Sequence, residues 1–153
     1  MSEPNYAGNI IVILANLPDF LRTPILKKRM VEFFAMTESE KKELVNNALE
    51  AGPTIPFPSF SKLFKTWLEI LTVLPEDQRN GIFSAYLNEI SECPQKLITF
   101  HLDGILEIFL SLDDEKQKTI AQSVKKIISS FEDEKKKKLL IVIPDNAQKH
   151  LEF

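Results

Sequence analysis

Two histidines and one cysteine offer the most versatile side-chain chemistry in this sequence: His101, His150 and Cys93. His101 stands in the segment FHLDG, with Asp103 two positions and Glu107 six positions further on. Metal ligands on one helix are expected three or four positions apart, with further ligands nearby, and this spacing does not meet that condition. The pattern therefore favours a partly buried, hydrogen-bonded histidine at position 101 over a metal ligand.

Cys93 precedes Pro94 at an expected helix start, where the pKa of a thiol can be lowered. No histidine lies close to it in the sequence, so the pattern favours a packing role over a nucleophile. The sequence also lacks a glycine-rich phosphate loop, a Cys-x-x-Cys motif and a nucleophile elbow. These observations predict a protein that is not an enzyme and uses no cofactor.

An aromatic stripe is formed by Phe57, Phe60, Phe64 and Trp67, at helical spacings of three, four and three. Such a stripe is typical of a protein core. It is also typical of a groove or an oligomer interface, where aromatic anchors are common. Both interpretations remain open from the sequence.

The segment GPTIPFP before the stripe contains three prolines and is predicted to be an extended, stiff connector. Irregular surface segments frequently bind partners, so we expect a contact loop here. The candidate partner-binding residues of the connector and the stripe are Pro56, Phe57, Pro58, Phe60 and Trp67.

Acidic residues open three predicted helices, at Glu38, at Glu76 and Asp77, and at Asp113 and Asp114. If these helices point the same way, their N-termini form an acidic rim. The rim would be a steering surface for a basic partner. The alternative is local capping of the positive end of each helix. The full predicted rim consists of Glu38, Glu40, Glu76, Asp77, Asp113, Asp114 and Glu115.

The net charge of −3, from 19 basic and 22 acidic residues, disfavours nucleic-acid binding. The only dense basic run, Lys135–Lys138, follows the acids EDE and resembles a solvated helix surface. A single cysteine fits a reducing compartment. The apolar run IIVIL is too short for a signal sequence or a bilayer span. The sequence therefore predicts a cytoplasmic protein without a transmembrane segment.

Apolar residues recur every 19 positions. The first column consists of Leu17, Met36, Ile55, Leu74, Cys93, Leu112 and Phe131, and the column nine positions later of Leu26, Val45, Phe64, Phe83, Leu102, Ala121 and Leu140. Acids and prolines follow most members of the first column, as expected at helix starts. Thr37 and Glu40 fit a capping box. The repeat predicts amphipathic helices of about fifteen residues.

The pattern of paired helices resembles the two-helix HEAT and armadillo class of repeats. The Leu-Pro-acid-acid openings also resemble those in the helical N-terminal domain of bacterial magnesium transporters and in flagellar-motor switch proteins. This resemblance implies an all-α fold in which antiparallel hairpins of 38 residues stack into a small α-solenoid of seven to eight helices. We expect one domain over residues 1–153, with residues 1–8 disordered and residues 145–153 forming a tail or a short cap.

The predicted function is a non-catalytic adaptor that presents a helical-repeat surface to another protein. One alternative is a homo-oligomer with Phe60 and Trp67 at the interface. A further alternative is a binder of an apolar small molecule, in a pocket lined by Phe33, Phe34, Phe64 and Phe109.

Overall fold

The computed structural model describes residues 6–151, with side chains from residue 10 onward. This range contains ten α-helices, two 3-10 turns and no strand, which confirms the all-α class. The helices are α1 (Tyr6–Ala15), α2 (Asp19–Glu32), α3 (Glu38–Ala51), α4 (Phe57–Val73), α5 (Glu76–Glu92), α6 (Gln95–Ile98), α7 (Leu102–Leu110), α8 (Asp114–Ser129), α9 (Asp133–Val142) and α10 (Asp145–His150). The expected disorder of residues 1–8 falls outside the described residues for positions 1–5, whereas positions 6–8 belong to α1.

Seven of these helices begin at a regular interval along the chain. Their first residues are Asp19, Glu38, Phe57, Glu76, Gln95, Asp114 and Asp133, each 19 positions after the previous one. Local capping explains several starts. Thr37 and Glu40 form the predicted capping box, and the Asp113 carboxylate accepts the Lys116 backbone N–H at 2.9 Å.

The 19-residue unit that begins near residue 93 does not form the single helix of about fifteen residues that was predicted. It is divided into the four-residue α6 and the longer α7, with Phe100 between them. The break turns the Phe100 ring inward against Phe60, at 5.6 Å between ring centroids. Gly52 allows this approach, because a Cβ there would lie 2.5 Å from the Phe100 ring. This break and the additional α10 raise the helix count above the expected seven to eight.

Counted in 19-residue units along the chain, the helices that pack most extensively against each other are two or three units apart. Thus α1 packs against α3 and α4, α3 against α5 and α6, and α5 against α8 and α9. Six side-chain hydrogen bonds join helices whose residues are 43 to 50 positions apart: Asn46–Glu89, Arg79–Ser123, Glu69–Lys116, Asn88–Lys135, Asn46–Lys96 and Glu76–Lys126. The chain therefore returns to the same neighbourhood after about 47 residues, or two and a half of its 19-residue units.

This packing differs from the predicted 38-residue hairpins. In a stack of hairpins each helix would pack most extensively against the next one, but the extensively packed partners lie further along the chain. The sequence period sets where helices start. It does not set the angle between successive helices, which depends on the residues in each junction.

Side-chain donors close several helix junctions. The Arg22 guanidinium, 2% exposed, donates to the Leu14 carbonyl at 3.0 Å, to the Leu17 carbonyl and to the Asp19 carboxylate. The Leu14 carbonyl, in the last turn of α1, also accepts the Leu17 backbone N–H at 3.3 Å, whereas Leu17 lies in the junction after α1. Arg22 therefore fixes α2 to the end of α1.

The same arrangement recurs at three other junctions. Arg79 donates to the Leu74 carbonyl at 3.0 Å, Gln117 to the Leu112 carbonyl at 2.7 Å, and Gln148 to the Ile143 carbonyl at 2.9 Å. In each case the donor stands five positions after the carbonyl, in the segments LPDFLR, LPEDQR, LDDEKQ and IPDNAQ. The Leu-Pro-acid-acid opening noted in the sequence covers only the first four positions of these segments. The hydrogen-bond donor at the sixth position is therefore an additional sequence signal of the junction.

Candidate functional site

A cavity of about 410 Å³, partly open to solvent, lies between the helices. It is lined mainly by apolar side chains from α1 to α8 and from the junctions between them. Seven lining residues are spaced by 19 positions, so that each successive unit contributes one of them: Ile10, Arg29, Ala48, Trp67, Tyr86, Ile105 and Val124. The repeat therefore places one side chain from each of seven units around a shared space.

The aromatic stripe of α4 forms one wall of this cavity. Phe60 and Phe64 stack at 5.5 Å between centroids, and Phe64 lies 5.7 Å from Trp67. Trp67 in turn contacts Tyr86 of α5 edge-to-face at 5.2 Å. Interlocked rings of this kind have few alternative rotamers, so the wall is expected to be rigid.

Few polar groups face the cavity. Tyr86 lines the cavity, and burial raises the pKa of its hydroxyl to about 12. Arg29 and Glu32 also line the cavity, and both are solvent-accessible side chains joined by an ion pair of 3.2 Å. They therefore mark its solvent-facing edge. The site can hold an apolar molecule.

The predicted pocket lining agrees only in part with this cavity. Phe33 and Phe64 belong to the lining, whereas Phe34 and Phe109 do not. Phe34 lies beside Gly81 of α5, and the Phe109 ring contacts His150 at 6.1 Å between centroids. Sequence reasoning missed Tyr86, Ile105 and Val124, although all three stand at the same position of their 19-residue units as Trp67.

The segment GPTIPFP is not the extended connector that was predicted. Gly52–Thr54 form a 3-10 turn, and Phe57 and Pro58 already belong to the first turn of α4. Proline fits the first turn of a helix because no backbone N–H is needed there. Pro56 and Pro58 are exposed. Phe57 is half-buried, 4.9 Å from the His101 ring between centroids.

Two candidate residues of the stripe point inward. Phe60 is 8% exposed, and Trp67 is partly buried against the core. Both line the cavity. They are therefore placed to contact a molecule inside the cavity, and a flat partner surface could not reach Phe60.

The acidic residues do not form one continuous rim. Glu76 pairs with Lys126 near the C-terminal end of α8, at 3.3 Å. Asp113 lies at the opposite end of α8. There the Lys116 ammonium pairs with the Asp113 carboxylate at 3.9 Å and with the Glu69 carboxylate at 3.4 Å. The twelve residues between positions 114 and 126 correspond to about 18 Å of helix. The N-termini of α5 and α8 therefore do not share the predicted edge, because Glu76 and Asp113 lie at opposite ends of α8.

The remaining acids are explained locally. Glu38 pairs with Lys41 at 3.4 Å, and its side chain is almost fully exposed. The backbone and side-chain hydrogen bonds from Thr37 lower the pKa of the Glu40 carboxyl. Asp77 and Asp114 stand in the first turns of α5 and α8, next to the positive helix ends.

The fold does not bring His101, His150 and Cys93 together into one site. His101 is exposed and stacks on Phe57, and Cys93 is half-buried, with its Sγ 3.5 Å from the Gln95 side-chain oxygen. Across the described part of the chain, no three potential metal ligands come close enough to hold an ion. Within residues 6–151, no helix has both the length and the apolar character needed to cross a bilayer.

Comparisons with known proteins give no match for this chain among family models, curated proteins or solved structures.

Proposed function

We propose that this protein is a non-catalytic helical-repeat module that binds an apolar small molecule in its apolar cavity. The observation that supports this most strongly is the set of residues at 19-residue spacing that surrounds the cavity, from Ile10 to Val124. A void left by chance packing would have no reason to receive one side chain from each unit. The cavity follows from how the repeat is assembled.

The size of the cavity also supports an occupant. Protein interiors are close-packed, and voids larger than a few water molecules are few in each domain. An engineered apolar cavity of about 150 Å³ already binds benzene. The cavity here, at about 410 Å³, is more than twice as large. It falls within the usual range for small-molecule sites.

The lining suggests the chemical class of the ligand. It is mostly aliphatic and aromatic, so charged groups inside it would lose their hydration without compensation. We therefore propose a neutral, largely hydrocarbon ligand, with any polar end directed toward Arg29 and Glu32.

The architecture that we propose is a curved α-solenoid of single-helix units, with about two and a half 19-residue units in each turn. Successive turns pack through the contacts between helices two and three units apart. The cavity would then lie along the axis of the solenoid. A cytoplasmic location is part of the proposal, since a single cysteine suits a reducing compartment.

Titration with a neutral fluorescent probe tests the ligand-binding proposal. We expect N-phenyl-1-naphthylamine to bind the native protein with one site per chain and a blue-shifted emission, and unlabelled long-chain alcohols to displace it. Mass spectrometry under non-denaturing conditions would measure the stoichiometry independently. Lack of binding by a protein with native circular dichroism would contradict the proposal.

A protein partner on the outer surface is the second candidate function. It is supported by the exposed Pro56 and Pro58, whose position is fixed because the Phe57 ring packs against Gly104 and His101. Any partner that co-purifies with the protein would be tested against the triple alanine variant at Pro56, Phe57 and Pro58. An affinity that stays within about twofold of the wild-type value would remove this candidate.

A further inference from the structure

The outer face of α2 is apolar although it is exposed to solvent. Phe20 is 75% exposed, Val31 48%, and Leu21 and Ile25 39% each. Phe20, Pro24, Lys28 and Val31 recur at spacings of three and four, so they lie along one side of the helix. A soluble protein rarely leaves four large apolar side chains exposed on one helix without a use for them.

The position of α2 in the assembly explains why this face is uncovered. The helix packs against α1 and α4 through its opposite face, where Arg22, Leu26 and Met30 are buried. No described helix packs over Phe20.

The charges around this face favour one kind of occupant. Lys27 and Lys28 are exposed and lie on the apolar side of the helix. The two acids of α2 have basic partners, because Asp19 pairs with Arg22 and Glu32 with Arg29. The neighbouring α1 carries no charged residue at all. The two-helix segment is therefore basic in a chain whose net charge is −3.

We infer that the outer face of α2 docks on an anionic lipid membrane surface. Apolar side chains of an interfacial helix enter the boundary between headgroups and acyl chains. The long lysine side chains extend to the level of the headgroups, where anionic lipids attract each of them. A docking surface for a protein would be expected to present paired donors and acceptors around the apolar residues, whereas this face presents two lysines.

The inference goes beyond ligand binding and does not depend on it. The two sites are nevertheless neighbours. The inner side of α2 and the turn after it contribute three residues to the cavity lining: Leu26, Met30 and Phe33. A membrane in contact with the outer side would be a direct source of apolar ligand. The helix would then separate the membrane from the cavity by its own width.

Vesicle flotation provides the test. The wild-type protein would be mixed with vesicles of phosphatidylcholine alone, or of equal parts phosphatidylcholine and phosphatidylglycerol. We expect flotation with the anionic vesicles, a decrease as salt is raised, and little flotation with the neutral vesicles. Absence of flotation with anionic vesicles at low salt would overturn the inference.

Two pairs of variants show whether α2 is the part that binds. We expect Lys27→Glu/Lys28→Glu to reduce partitioning to anionic vesicles roughly thirtyfold, and Phe20→Ser/Ile25→Ser roughly tenfold. The matched controls are Lys137→Glu/Lys138→Glu and Ile141→Ser, which alter exposed residues of α9. Equal losses in the α9 controls, or none in the α2 variants, would overturn the inference.

Probe binding by the same variants separates this inference from the proposed function. We expect the α2 variants to retain the naphthylamine site, since the substituted side chains do not line the cavity. Sedimentation of the wild-type protein as a dimer that dissociates on Phe20→Ser/Ile25→Ser would assign the face to a second copy of the chain, and so would contradict membrane docking.

Discussion

Replacement of Arg22 by Met is expected to lower the free energy of unfolding by about 3 kcal/mol, since it removes the buried guanidinium that donates to the Leu14 and Leu17 carbonyls and to the Asp19 carboxylate. In the native protein Arg22 binds the carbonyls of Leu14 and Leu17 from a position that is 2% exposed. Methionine keeps most of the volume, so the loss would report the hydrogen bonds more than the packing. For a chain of this length the melting temperature should fall by roughly 6 to 12 °C.

Arg29→Met is the matched control, because it makes the same chemical change on the same helix. The Arg29 side chain is 54% exposed, and its bond is an ion pair with Glu32. Exposed pairs of this kind contribute about 0.5 kcal/mol or less. Urea unfolding monitored by circular dichroism would compare the two variants. Equal destabilisation would show that Arg22 does not have the junction role described here.

The second large effect is expected from filling the cavity. The double variant Val124→Phe/Leu44→Phe should lower the affinity for the naphthylamine probe at least about tenfold, because the added rings occupy the volume that the ligand needs. Both residues line the cavity, and both are only partly buried. The new rings therefore have room, and we expect stability to be retained or raised by about 1 kcal/mol.

Val73→Phe/Leu110→Phe makes the same substitutions on the outer surface. Val73 is 67% exposed and Leu110 42% exposed, and neither lines the cavity. We expect probe affinity within about twofold of the wild-type value for this control. If the cavity variant also kept its affinity while remaining folded, the probe would bind elsewhere and the assignment of the site would be wrong.

Much of the local structure could be predicted from the sequence. The 19-residue columns, with acids and prolines after them, indicated where helices begin, and Thr37 with Glu40 identified a capping box that the structure contains. These features depend on nearby residues, so a single sequence is sufficient to reveal them.

The arrangement of the helices could not be predicted in the same way. The contact between Phe100 and Gly52 interrupts the helix after residue 98, and it joins residues that are far apart in the sequence. Similarly, the ion pair between Glu76 and Lys126 shows how far the start of α5 lies from the start of α8. Periodicity identifies the buried face of a helix but not the helix that covers it.

The cavity is an intermediate case. Trp67 was noticed because of its aromatic neighbours, and Phe64 was assigned to a pocket wall. Tyr86 and Val124 occupy the same position of their 19-residue units as Trp67. This position also holds Arg29, so its apolar character is incomplete, and only the three-dimensional structure shows that its residues surround a space.

Crystals pressurised with xenon would test most directly the claim that the repeat encloses an apolar cavity. Xenon enters dry apolar cavities and is visible by its strong scattering. The structure predicts one or more xenon atoms among Trp67, Tyr86, Ile105 and Val124 in the wild-type protein, and their loss in Val124→Phe/Leu44→Phe. A core without xenon, in which these side chains touch one another across the axis, would contradict the account.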